Sequence, residues 1–177
     1  GVVAVPGFNT NVPLYILGSS MFGASLAAKL GLPYAFASHF APQQLEQATA
    51  YYRENYEPSE RYPEPYCIAA VNVIASDTEE DADRQQHTVH RERVRSMIGR
   101  RGAPLSEQQL DAHMHSIQGR QIIDMLRYTA KGTGENIQDY LTWFKSLAQA
   151  DELMISLQAA SHEEALRGME ILAAHRP

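Results

Sequence analysis

Two short stretches hold the residues best suited to chemistry, Gly18-Ser19-Ser20 and Ser38-His39, and each closes an apolar run. Gly18 lets the chain turn sharply. Ser19 and Ser20 then offer hydroxyls and backbone N–H groups where a helical pattern begins. Unpaired donors and the helix dipole favour an anion such as a phosphate there. The same residues also suit a plain helix N-cap, and the pattern is neither a P-loop nor the dinucleotide glycine fingerprint. His39 can donate to a bound group or a substrate oxygen, or transfer a proton. The alternative is a loop histidine with a local hydrogen bond.

Other chemistry-bearing types are less well placed. His87 and His90 are spaced like metal ligands on a helix, but no third ligand is evident for them or for the His113/His115 pair. The surrounding helix is strongly polar, which predicts a solvated face. Arg91, Arg93, Arg95, Arg100 and Arg101 form a basic run in a chain of net charge −6, so a solvated helix end and loop is expected rather than a nucleic-acid patch. Trp143 and Phe144 are expected in the core. Neither a Ser-His-Asp order nor a paired-carboxylate arrangement can be defended.

The elements that must position these residues follow from hydrophobic pattern and punctuation. Strands are predicted at Val12–Leu17, Pro33–Ser38, Tyr66–Ala75 and Asp151–Leu157. Helices are predicted at Met21–Leu30, Gln43–Tyr56, from about Glu79 to Ile98, Ser106–Ile117, Arg120–Ala130, Gly134–Leu147 and Ser161–Ala174. Such alternation predicts right-handed parallel crossovers. Continuous apolar strands imply that both sheet faces are covered. An open doubly wound sheet and part of a (β/α)8 barrel both satisfy the pattern, and both gather ligands at the carboxyl ends of the strands. The two serine-containing turns fall at those ends.

The chain has 177 residues, enough for one domain with a real core. Its acidic balance argues against a nucleic-acid binder. No apolar run approaches the roughly 20 residues of a membrane span, and no signal peptide is read before the first element. Cys67 stands alone in "PYCIAAVNVIA", where it reads as buried and inert, and the cytoplasm is the expected location. The opening Gly1-Val2-Val3 has no initiator Met, which suggests a trimmed, processed or partial chain.

The stretch "VPLYILGSSMFGASLAAKLGLPYAFASHFAP" closely resembles the bacterial luciferase-like flavin-dependent monooxygenases, nearest their alkanal-monooxygenase-like subgroup. "YRENYEPSERYPEPYCIAAVNVIASDTEEDA" and "ADELMISLQAASHEEALRGMEILA" resemble later segments of the same family. The resemblance implies an α/β fold, the C-terminal half of a luciferase-like (β/α)8 TIM barrel. Four parallel strands with their helices would be the fifth to eighth of the barrel, in a single domain over 1–177. It implies that Gly18, Ser19, Ser20, Met21 and Phe22 hold the phosphate of FMN, and that Ser38 and His39 lie beside the flavin ring. It implies no metal. The sequence departs from the family at Gly132-Thr133-Gly134-Glu135, where Gly-Ser/Thr-Pro-Glu is usual, and at Ser161-His162 in place of Asp-His. No tryptophan stands in the connection before residue 120.

The activity implied is monooxygenation of a small organic or aldehyde-like substrate by reduced FMN and O2, with a flavin reductase as the partner that supplies the flavin. The family's catalytic histidine would lie before Gly1, so this chain alone is not expected to turn over. Two other readings stand beside it: a non-catalytic half-barrel assembly module that keeps a phosphate site, and an independent doubly wound domain for another phosphorylated ligand. A half-barrel leaves an apolar inner face and two open edges, so a homodimer, or pairing with an N-terminal half, is expected to cover them.

Overall fold

Five strands, β1 (Ile16–Gly18), β2 (Tyr34–Phe36), β3 (Cys67–Ala75), β4 (Thr129–Gly132) and β5 (Glu152–Leu157), form one wholly parallel sheet. The computed structural model describes residues 5–7, 9–99 and 104–175. Arg100 and Arg101 of the basic run lie outside the described residues. The helices are α1 (Met21–Leu30), α2 (Leu45–Glu54), α3 (Glu79–Ile98), α4 (Glu107–His115), α5 (Ile117–Asp124), α6 (Gly134–Leu147) and α7 (His162–Ala174).

β3 is the axis of the sheet. It is buried along all nine residues, and it pairs with β2, β4 and β5. A strand has two edges, and backbone hydrogen bonds show how three partners share them. The Tyr66 carbonyl accepts from the N–H of Tyr34, the first residue of β2, and the Asn72 N–H donates to the carbonyl of Tyr128, just before β4. Both are even-numbered positions and face one edge. The Cys67 and Val73 carbonyls face the other edge and accept from Asp151 and Gln158, flanking β5. β2 and β4 therefore occupy successive segments of one edge. β1 pairs only with β2, so β1, β4 and β5 each keep one edge without a strand partner among the described residues.

Alternate β3 side chains build two different surfaces. Cys67, Ala69, Val71, Val73 and Ala75 join the main core with Tyr34, Phe36, Leu45, Tyr52, Ile137 and Phe144. Burying a side chain such as Phe36 or Phe144 contributes roughly 1.5–3 kcal/mol. Burial also pushes the Cys67 thiol up to about 12, which matches the inert role expected of it. On the opposite face, Ile68 and Ala70 look toward Leu17, Ala35 and Met154. A smaller cluster of Val94, Leu110 and Ile122 ties α3, α4 and α5 together.

Helix α3 starts where its sequence says it should. Thr78 accepts from the Asp81 N–H at 3.1 Å, and Glu79, Glu80 and Asp81 fill the first turn. The hydroxyl of Ser76, with Gln85 and Arg84, holds the Asp81 carboxyl down at about 2. The helix then passes the carboxyl ends of several strands. Asp83 pairs with Lys131 of β4, Arg84 with Glu164 at the start of α7, and Thr88, Val89 and Glu92 line a cavity with Gln158 and Ala159 beyond β5.

Four expectations need correction. The sheet has five strands rather than four. Thr129 and Ala130, read as the tail of a helix, join Lys131 and Gly132 in β4, pulled into the sheet by the open upper edge of β3. Both faces are not covered: Leu17 and Met154 are 74% and 55% exposed, because no layer packs on that side of β1 and β5 among the described residues. The first strand begins at Ile16, since only there does the chain meet a partner, the Pro33 carbonyl. Trp143 is half exposed beside Tyr140, while Phe144 alone is core.

Gly31 closes α1 with φ +59°, and its N–H bonds the Ala28 carbonyl. A Cβ there would stand 2.5 Å from the Glu57 carbonyl oxygen. Gly99 has a helical φ of −68° and open space around it. Gly31→Ala is expected to destabilise by at least about 1–2 kcal/mol, lowering the melting temperature by several degrees. Gly99→Ala is expected to leave it unchanged or slightly raised. Paired calorimetric melts check this, and equal behaviour of the two variants contradicts it.

Candidate functional site

Gly18, Ser19, Ser38 and His39 come together around one cavity of about 550 Å³ at the carboxyl ends of β1 and β2. Gly18, Ser19 and His39 line it, and Ser38 lies buried behind it. Its wall is apolar: Tyr15, Leu17, Ala35, Ile68, Ala70 and Met154.

The first turn is built from below. Tyr34 is buried under it, and its hydroxyl donates to the Ser20 carbonyl at 3.1 Å. Burial pushes the Tyr34 phenol well above its ordinary range, so it stays a neutral donor. Gly18 packs on Gly23, since a Cβ on Gly18 would sit 3.4 Å from the Gly23 Cα. Ser20 is extended at φ −152° and does not cap α1 with its side chain. The plain N-cap reading of this serine therefore fails. The Met21 N–H donates to Gln44 Oε1 at 3.2 Å. The N–H groups of Phe22 and Gly23 precede the first intrahelical bond, which runs from Ala24 to Ser20. Phe22 itself is 77% exposed at the rim, and Met21 is half-buried.

Ser38 and His39 are placed by β3. Ser38 Oγ donates to the Ala70 carbonyl at 2.5 Å, and Asn72 Nδ2 donates to the His39 carbonyl at 2.7 Å. The His39 ring meets Phe40 edge-on at 4.8 Å. Its Nδ1 is buried without a hydrogen-bond partner among the described residues, as is Asn72 Oδ1. Burial first, and the Arg93 guanidinium second, hold the His39 pKa below its ordinary value. The ring is thus neutral near pH 7 and can accept or donate a hydrogen bond at Nδ1, according to its tautomer.

Asn72, Tyr34 and Arg93 were not singled out from the sequence as site residues. Asn72 carried a signal, being the one polar residue interrupting the apolar run of β3. Arg93 carried none, because its basic run gives no sign of which member turns toward the strands. The histidine pairs stay apart from the cavity lining, and among the described residues no group of three or more His, Cys, Asp or Glu could hold a metal ion. No helix of the described residues is long and apolar enough to cross a membrane.

The family departure at Gly134 has a local cause. A Cβ there would lie 2.3 Å from His175 Nδ1, so the position that is usually proline instead admits the His175 ring. The Asn136 side chain still reaches back to the start of α6, its Oδ1 accepting from the Thr133 N–H at 3.1 Å and from the Thr133 hydroxyl at 2.5 Å.

Comparison with known proteins gives a consistent result. The sequence model described as luciferase-like monooxygenase matches residues 1–139. A luciferase-like monooxygenase of Escherichia coli (strain K12) is 34% identical over 168 residues, covering 94% of this chain and 50% of the relative. The crystal structure of apo-MsnO8 superposes with a TM-score of 0.77 at 27% identity, over 98% of this chain and 54% of that one. The riboflavin lyase RcaE, solved with modified FMN and riboflavin, shares the fold with a TM-score of 0.59 at 15% identity, over 91% and 42%. The chain spans about half the length of the curated relatives it matches.

The His39 environment gives a direct test. Its ring proton signals are expected to titrate below the ordinary midpoint of 6.5. Removing the nearby charge with Arg93→Gln should move the midpoint upward. NMR titration reads both, and a midpoint at or above 6.5 in the unaltered protein contradicts the placement.

Proposed function

We propose, from the premise that this chain belongs to the luciferase-like monooxygenase family, that it is the carboxyl-terminal half of a flavin-dependent monooxygenase barrel that binds FMN. The observation that carries this is the junction of two unlike surfaces at one end of the sheet. A helix N-terminus with unspent serine hydroxyls adjoins an apolar-walled cavity of about 550 Å³. A phosphate needs the first and a flavin ring the second.

The residues fit such a group. Ser19, Ser20 and the backbone of Gly18, Met21 and Phe22 would take the phosphate, where the dipole of α1 adds attraction. Leu17, Ala35, Ala70 and Met154 would carry the ring and keep water from it. His39 would stand beside it on the cavity wall, and Ser38 would fix His39 by bonding the Ala70 carbonyl. When bound, FMN supplies the redox chemistry that places one atom of O2 in a small organic or aldehyde-like substrate. The chain itself binds, orients and excludes water, and His39 holds or moves a proton at its ring nitrogen. A reductase would deliver reduced flavin. The exposed inner face and outer strands β1 and β5 are closed, in this reading, by the preceding half of the barrel or by a second copy.

Replacing Ser19 and Ser20 together with Ala in the complete protein should weaken FMN binding about tenfold or more. Charge-assisted hydrogen bonds contribute roughly 1.5–3 kcal/mol each, and 1.4 kcal/mol is a factor of ten. Riboflavin, which lacks the phosphate, should bind equally to both forms. Fluorescence titration decides, and unchanged FMN affinity removes the assignment.

A further inference from the structure

Three buried side-chain atoms have no hydrogen-bond partner among the described residues: His39 Nδ1, Asn72 Oδ1 and Glu164 Oε2. Glu164 has its other carboxylate oxygen on Arg84, which accounts for one of them. The remaining two belong to residues that already bond each other, since Asn72 Nδ2 donates to the His39 carbonyl at 2.7 Å. Two unpaired atoms on one bonded pair are a local deficit with a common remedy, because a buried polar group without a partner is unfavourable.

The chemistry of the two atoms says which way a hydrogen must run. The His39 carbonyl can only accept, so the amide nitrogen of Asn72 must be the atom that faces it, and the amide is not free to flip. Oδ1 is left as an acceptor in need of a donor. Asn72 is 0% exposed within a fully buried strand, so bulk water does not reach it. Of the two unpaired atoms, only His39 Nδ1 can carry a hydrogen. The two do not bond each other directly in this structure, and one trapped water suffices to relay between them. The other ring nitrogen, Nε2, bonds no described residue and is not among the buried unpaired atoms, so it is the nitrogen open to the cavity that His39 lines. Backbone placement alone does not call for a buried amide here, since Ser38 already anchors the same turn through the Ala70 carbonyl.

We infer that Asn72 is a positioning residue for His39: its Oδ1 receives the Nδ1 hydrogen through one trapped water and holds the ring in the Nδ1–H tautomer, with the lone pair of Nε2 presented to the cavity. His39 then accepts a hydrogen bond or a proton at Nε2, and the group opposite it on a bound molecule is an N–H or O–H donor. Asn72 acts only through His39, because it does not itself line the cavity. The inference rests on the flavin-dependent reading for its chemistry, while the tautomer is set without any ligand.

The test uses the complete protein, free of flavin and isotopically labelled at the histidine nitrogens, at a pH where the ring is neutral. Long-range nitrogen–proton NMR spectra, with His39→Gln to assign the signal, report which ring nitrogen carries the hydrogen. The unaltered protein is expected to show Nδ1–H as its main form. Asn72→Val, which continues the apolar run, should lose that preference and turn toward Nε2–H. Asn72→Asp retains an acceptor and should keep Nδ1–H. A merely structural Asn72 would change the melting temperature of the Val variant and leave the tautomer alone. Nε2–H as the main form of the unaltered protein overturns the inference, as does an unchanged tautomer in folded Asn72→Val. The unaltered protein decides by itself if either variant fails to fold. FMN titration is read separately: Nδ1–H without FMN binding sinks the flavin reading and leaves the role of Asn72 standing, and FMN binding with an Nε2–H ring does the reverse.

Discussion

The edge of β3 that faces β2 and β4 is the constraint on which the site depends. A nine-residue buried strand exposes a full row of backbone donors and acceptors on each side, and each must find a partner. β5 satisfies one side nearly throughout. On the other, three-residue β2 stops at Phe36 and four-residue β4 starts at Thr129, so the ladder breaks between Ala69 and Asn72. Ser38 closes the break by donating to the Ala70 carbonyl, and Asn72 reaches back to the His39 carbonyl. The residues that repair the ladder are the ones that set His39 in place. Structural satisfaction and site geometry are here the same pair of hydrogen bonds.

The Gly18-Ser19-Ser20 turn obeys a different rule. Glycines at 18 and 23 allow the turn and α1 to approach closely, and the Tyr34 hydroxyl anchors the turn through the Ser20 carbonyl. With the carbonyl fixed from below, the serine hydroxyls are not needed as caps. An ordinary helix start uses its serine to satisfy its own N–H groups. This one leaves its serine hydroxyls and two first-turn N–H groups without a partner among the described residues. Rigid support beneath and unspent donors above is the arrangement that preorganised anion binding requires.

Much of this was legible in the sequence, and what was not has a common cause. Helices with sharp local signals fell where the pattern put them: α1 between Ser20 and Gly31, α3 after Thr78, and α6 after Thr133. The Gly18-Ser19-Ser20 and Ser38-His39 turns were readable because glycine and polar residues end apolar runs abruptly. β4 was not, because Thr129–Gly132 has no strand pattern of its own and exists only to complete a distant edge. Trp143 was misplaced because it adjoins a core residue in a helix whose buried stripe does not include it. Arg93 was invisible as an individual because helical position, not residue type, turns it toward the strands.

The open inner face follows from strand burial differing between the middle and the flanks. β3 is covered on both sides, but β1 and β5 are not, and Leu17, Met154 and Tyr15 remain in contact with solvent. Apolar surface of this kind, continuous with a cavity, is unfavourable unless another layer or a ligand takes it. A bound ring system would cover the central part, at Leu17, Ala35 and Met154. It could not pair the backbone edges of β1 and β5, which need strands. The two requirements are separable: ligand burial completes the site, whereas strand pairing completes the sheet. The residues of the α1 turn that the proposed phosphate site would use are contained in this chain, while full enclosure of the cavity depends on whatever closes the edges.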